Sequence, residues 1–253
     1  MCTVGEIATA LNETFPFETA LSYDNVGLLV GRTESEVNKI LVCLDVTHTV
    51  IDEAKEAGAE LIVSHHPVIF RELKRVTDDS YTGGMVLDLA ENRIAAIALH
   101  TNYDRAEEGN NYHLARALGA KEFTVIDEGF AVEFDLEREM PFDEFRRVVK
   151  SALADTVLRS VGSGAVRRVI TSCGAGISES LILRARETGA CLVTADVKHN
   201  YAMMAQDLGV RLIETTHYAS EWAFTKNMAK YLAEKYPDLE VILSRKNIHP
   251  YEA

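Results

Sequence analysis

Four of the eight histidines in this 253-residue chain, His65, His66, His100 and His217, fall within a residue or two of the carboxyl end of a strand-like run. Asp104, Asp196, His199 and Glu221 follow just after such ends. Ligands in open α/β sheets collect beyond the carboxyl ends of strands, so these are metal-ligand residue types in metal-ligand places. The adjacent pair His65 and His66, after Leu61-Ile62-Val63-Ser64, is the sharpest feature. Neighbouring side chains in extended backbone point in different directions, so two neighbouring ions are served more naturally than one. Pro67 fixes the following turn and holds His66 extended. His217 and Glu221 stand four residues apart and share a helix face; Asp104 follows His100 by the same spacing. A carboxylate can bridge two cations, and Glu221 is the first choice for that role. The competing readings are a core histidine beside a solvated one, a solvated Glu221 favoured by the helix dipole, and a turn-forming Asp104.

Nitrogen and oxygen donors without cysteine exclude a zinc–thiolate structural site and fit two divalent ions per subunit, Zn, Fe, Mn or Co, in an open centre. Two such ions about 3.5–4 Å apart activate water and polarise a phosphoryl or carbonyl oxygen, which is hydrolytic chemistry. A second group can face a small-molecule substrate. Asp196, Lys198 and His199 can supply an acid, a cation and a proton shuttle, or simply cap and decorate a helix. Cys173-Gly174-Ala175-Gly176 can cradle an anion on the backbone N–H groups of Gly174 and Gly176, or form a tight turn. Asp45 is an outer support for the metal site or a helix cap.

Short β-branched runs alternate with stretches of helical period, the pattern of βαβ units and an α/β fold. Strands are expected at 39–45, 60–64, 94–100, 168–173, 190–194 and 210–215, with helices between them. Val50, Ile51, Ala54 and Ala57 recur at helical spacing in a helix started by Thr47 or Asp45 and ended by Gly58. The same logic gives helices at 178–188, closed by Gly189, and 197–208, closed by Gly209. From about 121 to 162 the character changes: 130–136 alternates like a strand with one exposed face, Pro141 opens a helix to about 154, and 156–161 reads as a strand.

An internal repeat accompanies this pattern. Glu56-Ala57-Gly58-Ala59-Glu60-Leu61-Ile62-Val63 resembles Glu187-Thr188-Gly189-Ala190-Cys191-Leu192-Val193-Thr194, 131 positions later. The strand ending in His100-Thr101-Asn102-Tyr103-Asp104 echoes the one before His217. Two similar lobes follow, divided at 1–125 and 126–253.

The charge sum of −13, from 26 basic and 39 acidic residues, argues against nucleic acid as a partner. No leader pattern opens the chain, and no apolar run reaches the ~20 residues of a membrane span. Cys2, Cys43, Cys173 and Cys191 form no CxxC pair and fit reduced, core-packed thiols of a cytoplasmic protein.

Four segments, Tyr23-Asp24-Asn25-Val26-Gly27-Leu28, Ser64-His65-His66-Pro67-Val68-Ile69-Phe70, His100-Thr101-Asn102-Tyr103-Asp104 and Thr216-His217-Tyr218-Ala219-Ser220-Glu221, together resemble the NIF-three-like dinuclear-metal hexamer family, also called GTP cyclohydrolase type 2 homologues. The resemblance implies two similar, interlinked α/β/α lobes with largely parallel or mixed sheets, and a toroidal homohexamer whose dinuclear centre faces a central cavity. By motif, His65 and His66 would bind different metals, Asp104 would join His66, His217 would join His65, and Glu221 would bridge. His100 would be a further ligand or an outer donor in the pocket. Tyr23 stands where many relatives carry Trp, Leu29 where Gln is frequent, Ala195 where Gly is common and Asn200 where a second His is frequent; none is a metal ligand. The activity implied is hydrolysis of a nucleotide or phosphorylated small molecule, with opening of the GTP imidazole ring the reaction of the family's name. A non-catalytic metal-handling or regulatory hexamer is the alternative.

Overall fold

The computed structural model describes residues 2–155, 157–246 and 249–250. Two compact units emerge, Met1–Tyr103 with Phe224–Ile248, and Asp104–Ala223 with His249–Ala253. The division is therefore not a contiguous one near residue 125: it falls at Tyr103, and a C-terminal segment returns to the first unit. Both units are mixed α/β.

In the first unit, strands Lys39–Cys43, Leu61–Ser64 and Ala95–Ala98 run parallel. Glu240–Leu243 pairs parallel to Lys39–Cys43, and Gly27–Val30 pairs antiparallel to Ala95–Ala98. Residues of Leu61–Ser64 and Ala95–Ala98 are buried without alternation, as expected of parallel strands covered on both faces. Leu41, Cys43, Ile62 and Ala96 share one core cluster with Val50, Ile51 and Ala54 of helix His48–Ala57 and Met85 and Leu89 of helix Tyr81–Glu91. Helix Val4–Thr14 opens with a capping box between Thr3 and Glu6 and meets the C-terminal helix Ala223–Lys235 through Thr14 Oγ1 and Tyr231 Oη, 2.7 Å apart.

The second unit repeats the three parallel strands as Ala165–Thr171, Cys191–Thr194 and Arg211–Glu214, again with an antiparallel strand, Arg159–Val161, beside the third. Its other edge differs: the long strand Ala131–Pro141 pairs antiparallel with Ala165–Thr171, and Thr124–Ile126 pairs with it in turn. One face packs on helices Glu179–Thr188 and His199–Asp207, the other on Asn110–Ala117 and Phe142–Ala152.

The repeat is sharpest at helix ends. Thr47 caps His48–Ala57 by accepting from Val50 N–H, and Ser178 caps Glu179–Thr188 by accepting from Leu181 N–H. Both helices end on a left-handed glycine, Gly58 at φ 66° and Gly189 at φ 69°. Cap, helix and glycine all recur 131 positions apart, because each crossover must reverse the chain at the same place to feed the next parallel strand.

Several expectations need correction. Residues 130–136 lack one exposed face: Ala131 to Phe134 are all buried, and Glu133 is covered because Arg184 Nε donates to it at 2.9 Å. Asp45 does not cap its helix, since Thr47 does. The helix expected from Val197 begins at His199, with Asp196 at φ 48°, a backbone turn that breaks the helix start. Thr156, expected to open a strand, lies outside the described residues.

A cap hydroxyl satisfies a helix N–H that has no partner inside the helix. Thr47→Ala and Ser178→Ala should each lower unfolding free energy by about 1 kcal/mol, additively, in chemical denaturation.

Candidate metal centre

In the first unit the carboxyl ends of two neighbouring parallel strands deliver three histidines. Strand Leu61–Ser64 ends and the backbone bends at His65 and His66, so their rings converge, 4.8 Å apart between centroids, instead of diverging as extended backbone would have them. Ala95–Ala98 delivers His100, whose ring lies 5.2 Å from His65 and 5.4 Å from His66. One ring nitrogen from each of the three lies within 4.8 Å of the others, a set that can hold a metal ion.

Each ring is aimed by an acceptor at Nδ1. His65 Nδ1 lies 2.7 Å from the Leu99 carbonyl oxygen, His66 Nδ1 is 2.7 Å from Asp45 Oδ1, and His100 Nδ1 is 2.8 Å from Asp24 Oδ1. A carbonyl oxygen can only accept, so His65 carries its proton on Nδ1, and the carboxylates favour the same tautomer in the other two. Nε2 is then the nitrogen that can bind a metal ion, and an acceptor at Nδ1 is the usual outer support of a ligating imidazole.

Asp24 is the outer residue that sequence reasoning left without a role, although it stands in one of the four quoted segments. Its side chain is fully buried. Oδ2 accepts from Thr101 N–H at 3.0 Å and Thr101 Oγ1 at 2.5 Å, and Asn25 N–H donates to Oδ1 at 2.7 Å. Burial opposes its charge, but hydrogen bonds from His100 and Thr101 prevail and hold it down to about 2.

The second unit carries the remaining candidate donors. Helix His217–Glu221 begins at Thr216, whose backbone N–H and Oγ1 both donate to buried Asp155 Oδ2, as Thr215 Oγ1 does at 2.6 Å. That anchor sets the helix start. His217 Nδ1 lies 2.7 Å from Asp196 Oδ2, and Nε2 lies 3.0 Å from Glu221 Oε2 across one turn. With the Nδ1 proton directed at Asp196, Nε2 presents a lone pair to a buried carboxylate, and a cation between them satisfies both.

Asp104 is positioned by a pair of asparagines that the sequence did not single out. Asn110 Nδ2 donates to Asp104 Oδ1 at 2.9 Å, and Cys173 Sγ lies 3.3 Å from the same oxygen. Asn111 spans from the Asp104 carbonyl oxygen to the Cys173 N–H. Burial, with the charges of Asp104 and Glu221 beside it, pushes the Cys173 thiol well above its ordinary range, so it serves as a neutral donor.

Gly174 and Gly176 do not offer amides to an anion. Gly174 N–H donates to Ser220 Oγ at 2.9 Å, and Gly176 N–H to the Cys173 carbonyl oxygen at 3.2 Å. Gly174 instead makes space. At its φ of 54°, an added Cβ would lie 2.2 Å from Glu221 Oε1 and 3.2 Å from His217 Nε2. Only glycine leaves room for the Glu221 carboxylate. Asp196 orients His217 instead of standing with Lys198 and His199. The latter two are exposed at the start of helix His199–Asp207, where, among the described residues, no side-chain hydrogen bond or ion pair joins them to His217 or Glu221. Among the described residues, no helix is long and apolar enough to cross a membrane.

The chain belongs to the Duf34/NIF3 (NGG1p interacting factor 3) family, whose model matches residues 2–250. It is 36% identical over 239 residues to a Helicobacter pylori protein named GTP cyclohydrolase 1 type 2, covering 92% of each chain. It is 30% identical over 260 residues to a Clostridium perfringens GTP cyclohydrolase 1 type 2 homolog, covering 98% of each. The crystal structure of a Staphylococcus aureus hypothetical protein superposes with a TM-score of 0.91 at 28% identity, covering 99% of both chains.

Two outcomes are expected. Asp24 has a folded-state value below its ordinary 3.8, so its stabilisation of about 2 kcal/mol is present above pH ~4 and is lost as pH falls toward 2. Urea midpoints of metal-free wild type and Asp24→Asn should therefore converge between pH 5 and 2.5. Gly174→Ala, which crowds Glu221, should weaken metal affinity at least ~10-fold by equilibrium dialysis, with an unchanged far-ultraviolet circular dichroism spectrum.

Proposed function

We propose that this protein is a dinuclear divalent-metal hydrolase of a nucleotide or phosphorylated small molecule, working as a cytoplasmic homohexamer. In this reading His65, His66 and His100 would be metal donors of the first unit and Asp104, His217 and Glu221 metal donors of the second, with Glu221 the first choice for a bridging carboxylate. The observation that carries it is the acceptor at Nδ1 of all four histidines, three carboxylates and one carbonyl, which sets every Nε2 as a donor. Imidazoles that ligate a metal almost always donate their other ring N–H in this way.

Bound there, two divalent ions lower the pKa of water and polarise a phosphoryl or carbonyl oxygen. The protein's own part is positional. Asp45, Asp24 and Asp196 hold His66, His100 and His217 in one tautomer and orientation. Asn110 and Cys173 occupy one oxygen of Asp104 and so direct its other oxygen to the ligand role. The names of the curated relatives make ring opening of GTP the first reaction to test, with phosphoester hydrolysis beside it.

Protein purified without added metal or chelator should contain close to two ions per subunit. His65→Ala and Glu221→Ala should remain folded, lose metal, and turn over GTP or a phosphoester at least ~100-fold more slowly than wild type. Full metal occupancy with no turnover across the panel would favour the metal-handling alternative, and a wild type that takes up no Zn, Fe, Mn or Co would remove the metal-centre reading.

A further inference from the structure

Two large aromatic rings are exposed at the edge of the first unit's histidine cluster, where folding alone gives no reason to expose them. Tyr23 is 65% accessible and Phe70 41%. Their centroids lie 6.3 Å apart at an interplanar angle of 76°, and Phe70 meets the His100 ring edge-on at 5.9 Å and 84°. Tyr23, Phe70 and His100 thus form a row of edge-to-face rings that ends at a candidate metal donor. The two loops carrying the row are joined: Asn25 Nδ2 donates to the Ile69 carbonyl oxygen at 2.6 Å, and Asp24, next to Tyr23, holds His100. Because both loops are fixed to the cluster, the rings stand ready before any ligand arrives, which reduces the entropy lost on binding.

We infer that Tyr23 and Phe70 form a clip for the planar heteroaromatic base of a nucleotide, seated beside the His65–His66–His100 cluster; the inference rests on the metal-hydrolase reading and names its substrate class. Two rings at a steep angle make a corner, in which a flat ligand stacks on one face and turns its edge to the other, the favoured aromatic geometries. The loop that follows Phe70 adds the complement to an anionic substituent. Arg71, Lys74 and Arg75 are exposed and form no ion pair among the described residues, three cations in five positions of a chain whose net charge is −13. A second copy of the chain is the weaker occupant. The large apolar side chains that these two loops expose, Tyr23, Phe70 and Val76, stand among charged residues and are small beside the roughly 800 Å² per partner of a stable interface.

The test is calorimetric titration of the metal-loaded protein with GMP and with ribose 5-phosphate, which share the sugar phosphate and differ in the base. Wild type should bind GMP at least ~10-fold more tightly, the range expected for one stacked base. Tyr23→Ala should remove most of that preference, Tyr23→Trp should keep it, and ribose 5-phosphate affinity and metal content should change in neither. Phe70→Ala should act as Tyr23→Ala does. Equal affinity for the two ligands in wild type, or a GMP preference that survives Tyr23→Ala, overturns the clip while leaving the metal-hydrolase reading standing. A change of oligomeric state in Tyr23→Ala with unchanged GMP affinity also overturns it, in favour of subunit docking.

Discussion

A neutral imidazole offers a metal the nitrogen that carries no proton, so an acceptor placed at its other nitrogen fixes which one is the donor, and this constraint recurs in both units. Four rings each place Nδ1 against an acceptor: the Leu99 carbonyl oxygen, Asp45, Asp24 or Asp196. Those acceptors must be fixed within a few tenths of an ångström, and each stands on a piece of backbone that the fold holds for its own reasons. Leu99 and His100 extend strand Ala95–Ala98, and Asp45 follows Lys39–Cys43, on the other side of the strand that leads into His65 and His66. Asp24 is held by Thr101 and by its own neighbour Asn25. Asp196 takes a left-handed turn at the end of Cys191–Thr194.

The repeated βαβ unit explains why donors gather at these points. Parallel strands end on one edge of a sheet, and the chain must turn there before entering a helix. Turn residues are free of the ladder and so can be polar. Each unit uses the same capped helix and the same left-handed glycine to return to that edge. The units then diverge at the far side of the sheet, where one adds a parallel C-terminal strand and the other an antiparallel ribbon. Gly174 shows how local backbone freedom is used beyond turning: its missing side chain makes space for a carboxylate that any other residue would displace.

Much of this was legible from residue order. Strand-end histidines, the i, i+4 pair His217 and Glu221, the helices closed by Gly58 and Gly189, and the α/β class all follow from period and spacing, because each depends on neighbours close in sequence. The errors share a cause. Residues 130–136 looked half exposed because nothing local announces that Arg184 will cover Glu133. Asp196 looked like a cap or a catalytic acid, and Asp45 stayed open between outer support and cap, because their partners, His217 and His66, lie 21 residues away in both cases. Gly174 and Gly176 looked like an anion cradle because the loop composition does not show that Ser220 and Cys173 already accept their protons.

The sequence by itself determined the donor types, their placement at strand ends and the twofold repetition, since hydrophobic period and turn chemistry are properties of short stretches of chain. Only the tertiary structure decided which atom of each candidate donor is engaged within the protein: Asp24, 76 positions earlier, takes His100 Nδ1, and Cys173, 69 positions later, lies against Asp104 Oδ1. A hydrogen bond acts over about 3 Å of space whatever the length of chain between its partners, so that assignment exists only once the chain has folded.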